Sequence, residues 1–195
     1  MKRVLSVDVD VIMAPCCNIY NGSVDSGDWK ELWKKLLPEM GELNYDGEIL
    51  KNLFTLFKQQ DCEFYFIEDH NDILPFIIPG CSLYNIDFHH DIYYNVQASA
   101  GDTEVRKNTV GNWVDYAVKR NLIEEYTWVH PFNSNKFLQW LDIPYYEKDV
   151  SEIPSLGKFD RVVVCSSPQW VPPQYHNIYD VIKIMFDKNE VPKKE

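Results

Sequence analysis

Short, almost wholly apolar runs set the tightest limit on what this chain can fold into. Val4 to Val7, Cys62 to Ile67, Ser82 to Ile86, Tyr126 to Val129 and Arg161 to Cys165 are four to six residues long. Runs of that length, without polar alternation, read as strands covered on both faces, and such strands belong to parallel sheets. Helical stripes fall between them. Trp29, Leu32, Trp33, Leu36 and Leu37 share one face of a helix expected to stop at Pro38 and Gly41. Asp46 is placed to cap a second helix carrying Ile49, Leu50, Leu53, Phe54 and Phe57. Asn112 to Arg120 and Ile178 to Phe186 also read as helices, and Ile73, Leu74 and Phe76 as a short one limited by Pro75 and Pro79. The alternation predicts an α/β fold: a three-layer α/β/α sandwich around a mainly parallel sheet. Val96 to Val110 reads as a polar loop, and the aromatic segment between Pro131 and Lys158 as irregular. With 195 residues and no repeat or linker, residues 1–195 form one domain with a charged tail at 188–195.

The strands end on polar residues. Asp8 and Asp10 follow the first, Glu68-Asp69-His70 the second and Asp87-Phe88-His89-His90-Asp91 the third. His130 follows the fourth and Ser166-Ser167 the fifth. Open α/β sheets bind ligands at the carboxyl edge of their strands, so these motifs are expected on one rim. In an extended backbone, alternate side chains face the same way. Asp87, His89 and Asp91 would then aim at one point, as would Asp8 with Asp10, while His90 points the opposite way. With His70, the set offers four carboxylates and two imidazoles. Carboxylates gathered without cations repel and take up protons. A pair of divalent ions removes that penalty; such pairs sit about 3.5–4 Å apart and lower the pKa of a bridging water.

Composition narrows the function classes. The formal net charge of −11 argues against nucleic acid, whose phosphates need clustered Lys and Arg, and agrees with a cationic ligand or a metal. The 8 glycines form no phosphate-cradling loop. The five cysteines form no CxxC pair, and Cys62, Cys81 and Cys165 read as buried thiols of a reducing compartment. The Met1-Lys2-Arg3 start meets Asp8 before any long apolar run, so neither a secretion signal nor a membrane span is expected. A cytoplasmic protein is the expectation.

These residues resemble the ureohydrolase superfamily of arginases and agmatinases, which carries a strand-end His, an Asp-x-His-x-Asp segment and a Ser-x-Asp-x-Asp segment. The counterparts are His70, Asp87 to Asp91, and Ser6-Val7-Asp8-Val9-Asp10. The chain is closest to the small arginase-like family that includes peptide arginases of ribosomal peptide maturation. Ile67 to Phe76, Gly111-Asn112-Trp113, Trp128-Val129-His130-Pro131 and Ser166-Ser167-Pro168 carry that likeness. In arginases the Asp-x-Asp segment comes last, and here it comes first, as in a circular permutation. The chain also lacks the Gly-Gly before the Asp-His pair.

The resemblance implies two manganese ions. Asp8 and Asp87 would bridge them, His70 and Asp91 would complete one site, and His89 and Asp10 the other. It implies attack of a bridging hydroxide on the guanidinium carbon of an arginine side chain within a precursor peptide, giving ornithine and urea.

Other candidates keep two readings each. His130 is either the proton shuttle to the leaving amine, and so catalytic beside Asp10, or a packed, hydrogen-bonded histidine. Asn112 is a substrate contact or a helix cap. Glu68 and Ser166 are substrate-pocket candidates. Asp69 caps a helix or orients His70. The rival functions are ureohydrolysis of free arginine or agmatine, amide deacetylation at a single zinc, and non-catalytic binding. Neither a membrane nor nucleic acid is an expected partner, and the oligomeric state is open.

Overall fold

The first strand, β1 (Arg3–Asp8), lies in the middle of a six-stranded sheet. A computed structural model describes residues 1–13, 29–40, 43–92, 108, 111–132, 134 and 141–187. The other strands are β2 (Glu63–Ile67), β3 (Cys81–Ile86), β4 (Ile123–His130), β5 (Tyr145–Asp149) and β6 (Arg161–Cys165), in the order β2-β6-β1-β3-β4-β5. Every pairing is parallel, so every carboxyl end lies along one rim. The expected α/β class and parallel sheet hold.

Side chains alternate between two cores. Leu5, Val7, Val162, Val164, Phe64 and Ile86 face one, with α2 (Gly47–Lys58) contributing Ile49, Leu53, Leu56 and Phe57. α1 (Trp29–Met40) adds Trp33 to that core, and α4 (His176–Phe186) adds Ile182. Val4, Leu83, Val163, Cys165, Tyr126 and Trp128 face the other core, against Ile73 of the 3₁₀ helix His70–Phe76. Trp113, Val114 and Ala117 of α3 (Trp113–Lys119) pack there too. Central strands buried on both faces explain why their sequences carry no polar alternation.

The chain runs from β1 toward β2 at one edge by way of α1 and α2. From β3 it runs through α3 to β4 and β5 at the other edge. β1 and β3 are neighbours, so the strand order reverses between them. That crevice is where open α/β sheets form sites.

Several boundaries differ from the sequence reading. Pro38 lies inside α1, which runs on to Met40; in the last turn a proline removes one backbone bond without ending the helix. β5 and the 3₁₀ helix Val150–Ser155 occupy part of the stretch expected to be irregular. Tyr145-Tyr146-Glu147-Lys148-Asp149 has no apolar period because it is a half-exposed edge strand, held by its ladder to β4. The expected loop at Val96–Val110, apart from Asn108, the tail 188–195, and Cys16 and Cys17 lie outside the described residues. Cys81 and Cys165 are buried free thiols, whereas Cys62 is only partly covered.

Asp46 caps α2 as its position predicts, accepting from the backbone of Glu48 and Ile49 at 2.9 and 3.0 Å. Asp46→Ala should lower unfolding free energy by about 1 kcal/mol. Urea denaturation would show this as a lower midpoint at unchanged slope; an unchanged midpoint would contradict the cap.

Candidate metal centre

The six predicted ligands meet at the crevice between β1 and β3. Asp8 is the last residue of β1, and Asp87 follows the end of β3. Asp87 is held by its backbone N–H to Val129 and its carbonyl to the Trp128 indole. His70 opens the 3₁₀ helix beyond β2 and reaches over β6, which lies between β2 and β1. Its Nδ1 stands 3.2 Å from Asp8 Oδ2, 3.2 Å from Asp87 Oδ2 and 2.9 Å from Asp91 Oδ2. His89 Nδ1 lies 2.9 Å from Asp10 Oδ2 and 3.9 Å from Asp87 Oδ1. Two ligand groups result: Asp8, His70 and Asp87, and Asp10, His89 and Asp87. Asp87 belongs to both, one oxygen toward each histidine.

The convergence is not the extended pattern read from the spacing. Residues 87–89 bend, and Asp91 has φ of +52°. Asp10 lies in a 3₁₀ helix, Val9–Met13, not in the strand. The spacing brought forward residues that do lie together, but not through an extended backbone. Each motif folds back on itself: His89 N–H donates to Asp87 at 2.8 Å, and Asp10 N–H to Asp8 at 3.0 Å. One oxygen of Asp8 and one of Asp87 thus each accept a backbone N–H two residues on, and Asp87 is the carboxylate common to the two groups.

Hydrogen-bond partners that the sequence reading passed over fix these side chains. Ser6 Oγ lies 2.7 Å from His70 Nε2, so Nδ1 is the nitrogen presented to the carboxylates. Ser6, not Asp69, orients His70; Asp69 precedes the 3₁₀ helix without a side-chain cap bond. Ser167, with φ of +41°, donates to Asp8 Oδ2 at 2.5 Å. Asn85 Nδ2 donates to Asp87 Oδ2 at 3.1 Å. Trp113 Nε1 donates to Asp91 Oδ2 at 2.6 Å. In sequence, Ser6 stands two residues before Asp8, Ser167 belongs to the Ser166-Ser167-Pro168 strand end, and Trp113 follows the Gly111-Asn112 pair.

The remaining candidates separate. His130 Nδ1 faces the Pro131 carbonyl at 3.0 Å, its Nε2 lies 3.5 Å from Glu147, and the ring stacks on Trp128. It joins neither ligand group. Asn112 is buried before α3 and makes no side-chain cap bond. Glu68 is exposed at the rim, and Ser166 Oγ sits 3.5 Å from its carbonyl. His90 is buried against Trp128 with Nδ1 accepting from Ile92 N–H at 3.0 Å, so it does not face solvent.

The electrostatics fit a cation. Asp8, Asp10, Asp87 and Asp91 are each at most 4 % exposed. Burial, then Asp91 and Asp8, pushes Asp87 up to about 7. Burial also raises Asp8, with Asp10 adding to it, and Asp10, with Asp87 adding to it. Burial alone would lower both imidazoles, yet the carboxylates hold His70 well above 6.5 and bring His89 to about 9. His90, buried and beside His89, falls to about 4. His70 Nδ1 is a buried nitrogen with three carboxylate oxygens around it, and none meets hydrogen-bond geometry. A single N–H cannot serve three acceptors, whereas a divalent ion among them can. The residues present therefore fit a metal with mixed oxygen and nitrogen ligands.

Among the described residues, no helix is long and apolar enough to cross a membrane. Comparison with protein-family models, curated proteins and solved structures yields no match.

Without metal, Asp87 and His89 keep protons in the folded state that the unfolded chain releases at lower pH. Folded protein binding the more protons means stability falls as pH rises. The Asp87 contribution is lost from about 3.8 to about 7 and that of His89 from 6.5 to about 9. Thermal melts in chelator should show Tm falling between pH 6.5 and 9, and a divalent metal should offset the fall. A flat or rising Tm in chelator would contradict this.

Proposed function

We propose that this chain is a dimanganese hydrolase of the ureohydrolase kind, acting on arginine side chains within a peptide to give ornithine and urea. The carrying observation is the division of five residues into two ligand groups that share Asp87, with Asp91 2.9 Å from His70 beside the first. The three-layer, arginase-like form of the fold belongs to this reading. It is supported by core residues on both faces of a parallel sheet and by a site at the point where the strand order reverses. The permutation is supported too: β1 lies beside β3, so Asp8 meets Asp87 whichever strand comes first.

When bound, two such ions supply hydroxide near neutral pH and a Lewis acid for the guanidinium. The chain's own residues do the rest. Asp87 spans the two groups, and Asn85 holds its Oδ2. Ser6 holds His70 at Nε2, and Ser167 and Trp113 aim Asp8 and Asp91. Asp10 fixes His89, the most exposed side chain of the six at 17 %. Trp170 packs 4.8 Å from the His89 ring, an aromatic wall beside the open side of the centre. The geometry favours the packed reading of His130, with Asp10 the expected catalytic residue inside the cluster. Glu68 and Ser166 line the same rim, as substrate contacts in this reading would.

The net reaction adds water across a guanidinium C–N bond. Urea keeps the oxygen, and the side-chain amine takes the proton. Two groups sharing a carboxylate favour two ions over the single zinc of an amide deacetylase. A cytoplasmic setting agrees with free thiols at Cys62, Cys81 and Cys165.

Purified protein should carry two Mn per chain by elemental analysis. Asp87→Asn, which touches both groups, should reduce this below one. It should also cut urea release from arginine peptides by more than the roughly 10–100-fold typical of losing an outer partner. Free arginine and agmatine, assayed beside the peptides, separate the two ureohydrolase readings. One zinc per chain with no urea from any guanidino substrate would overturn the proposal.

A further inference from the structure

The turn that follows β6 touches both ligand groups. Ser167 Oγ donates to Asp8 Oδ2 at 2.5 Å. Three residues on, the half-buried Trp170 ring packs 4.8 Å from the His89 ring, tilted by 48°. Asp8 belongs to one group and His89 to the other. The turn is held by bonds that involve neither ligand. The Ser166 and Ser167 N–H groups donate to the Ile67 and Glu68 carbonyls, both at 3.1 Å, which ties it to the segment leading into His70. The Trp170 and Val171 N–H groups donate back to the Ser167 carbonyl at 2.8 and 3.1 Å. The Trp33 indole of α1 donates to the Pro168 carbonyl at 3.1 Å, and the buried Gln169 side chain hydrogen-bonds the Asp69 carboxylate.

Ser167 sits in a backbone conformation that its residue type disfavours. Its φ of +41° lies in the left-handed region that favours glycine. A non-glycine residue persists there only where its surroundings over-determine it, and such residues gather at functional sites. Here the N–H, the carbonyl and the hydroxyl of Ser167 are all engaged, the hydroxyl by Asp8. Glycine would suit the backbone but would remove a donor to a buried carboxylate. The choice of serine therefore answers to the ligand rather than to the turn.

We propose that the Ser167–Trp170 turn is a positioning element that holds His89 in register with Asp8, so that the two ligand groups take up a pair of ions as a unit. The proposal rests on the two-ion reading above. His70 is held by Ser6 and Asp91 by Trp113, both through hydrogen bonds. His89, the most exposed ligand side chain, is held between the Asp10 carboxylate and the Trp170 ring. A ring packed against an imidazole limits its rotation, and the bonded turn transmits the position of Asp8 to that ring. Trp170 acts through His89 and touches no reacting atom.

The test is Mn²⁺ binding to the full chain, followed by titration calorimetry and electron paramagnetic resonance. Two Mn²⁺ ions sharing a carboxylate give an exchange-coupled signal distinct from that of isolated ions. The wild type should bind two ions and show that signal. Trp170→Leu should weaken the second ion taken up by roughly 10–100-fold, the loss typical of an outer partner, and give the isolated-ion signal at low loading. Trp170→Phe keeps a flat ring and should restore the coupled signal. Ser167→Gly suits the turn and removes only the hydroxyl, and it should weaken the same second ion. The double variant should lose no more than the weaker-binding single one, because both changes disable one device. Melts in chelator identify a variant that fails to fold; if Trp170→Leu does, Ser167→Gly decides alone. Wild-type affinity for the second ion in either folded variant would overturn the inference while leaving the two-ion reading intact. So would losses that multiply in the double variant. A wild type that binds one ion, or two without coupling, would overturn that reading and this inference with it.

Discussion

Burial of negative charge at the rim is the constraint on which the rest of this structure depends. Asp8, Asp10, Asp87 and Asp91 are taken almost wholly out of water within reach of two imidazoles. Removing a carboxylate from water costs several kcal/mol, and close neighbours of like charge add to that. Such a cluster persists only if protons or cations neutralise it. The raised pKa values of Asp87 and His89 describe the proton answer. Three carboxylates around His70 Nδ1, in hydrogen-bond geometry with none of it, describe what the cation answer requires.

The sheet makes this charge burial possible. β1 and β3 are covered on both faces, so their carboxyl ends are rigid and dry. The chain departs from them toward opposite edges, which opens the crevice between Asp8 and Asp87. The outer hydrogen-bond partners come from different strands: Ser6 on β1, Asn85 on β3, and Ser167 just beyond β6. The centre is thus tied to the same backbone ladder that stabilises the fold, and disturbing either should disturb both.

What could be read in advance followed locality. The strands of the sheet centre were legible because burial on both faces forces apolar runs, and Asp46 because a cap acts within three residues. The six clustered Asp and His residues were legible as strand-end motifs because each motif keeps its residues close in sequence. β5 was not, because an edge strand is specified by its partner's backbone, not by its own side chains. The pairings of Ser6, Ser167 and Trp113 with ligands were not, since Ser167 lies 159 residues from Asp8 and Trp113 lies 22 from Asp91.

The sequence by itself determined which chemistry is available: four carboxylates, two imidazoles and a parallel α/β frame with polar strand ends. Only the tertiary structure decided how that chemistry is divided. It bent Asp87 to Asp91 out of the extended form, turned one Asp8 oxygen to the Asp10 backbone, made Asp87 the shared carboxylate and carried His130 into packing against Trp128. The physical reason is that periodicity fixes directions only along a regular backbone. Past the end of a strand, direction is set by hydrogen bonds to neighbouring strands, and those partners are known only once the chain has folded.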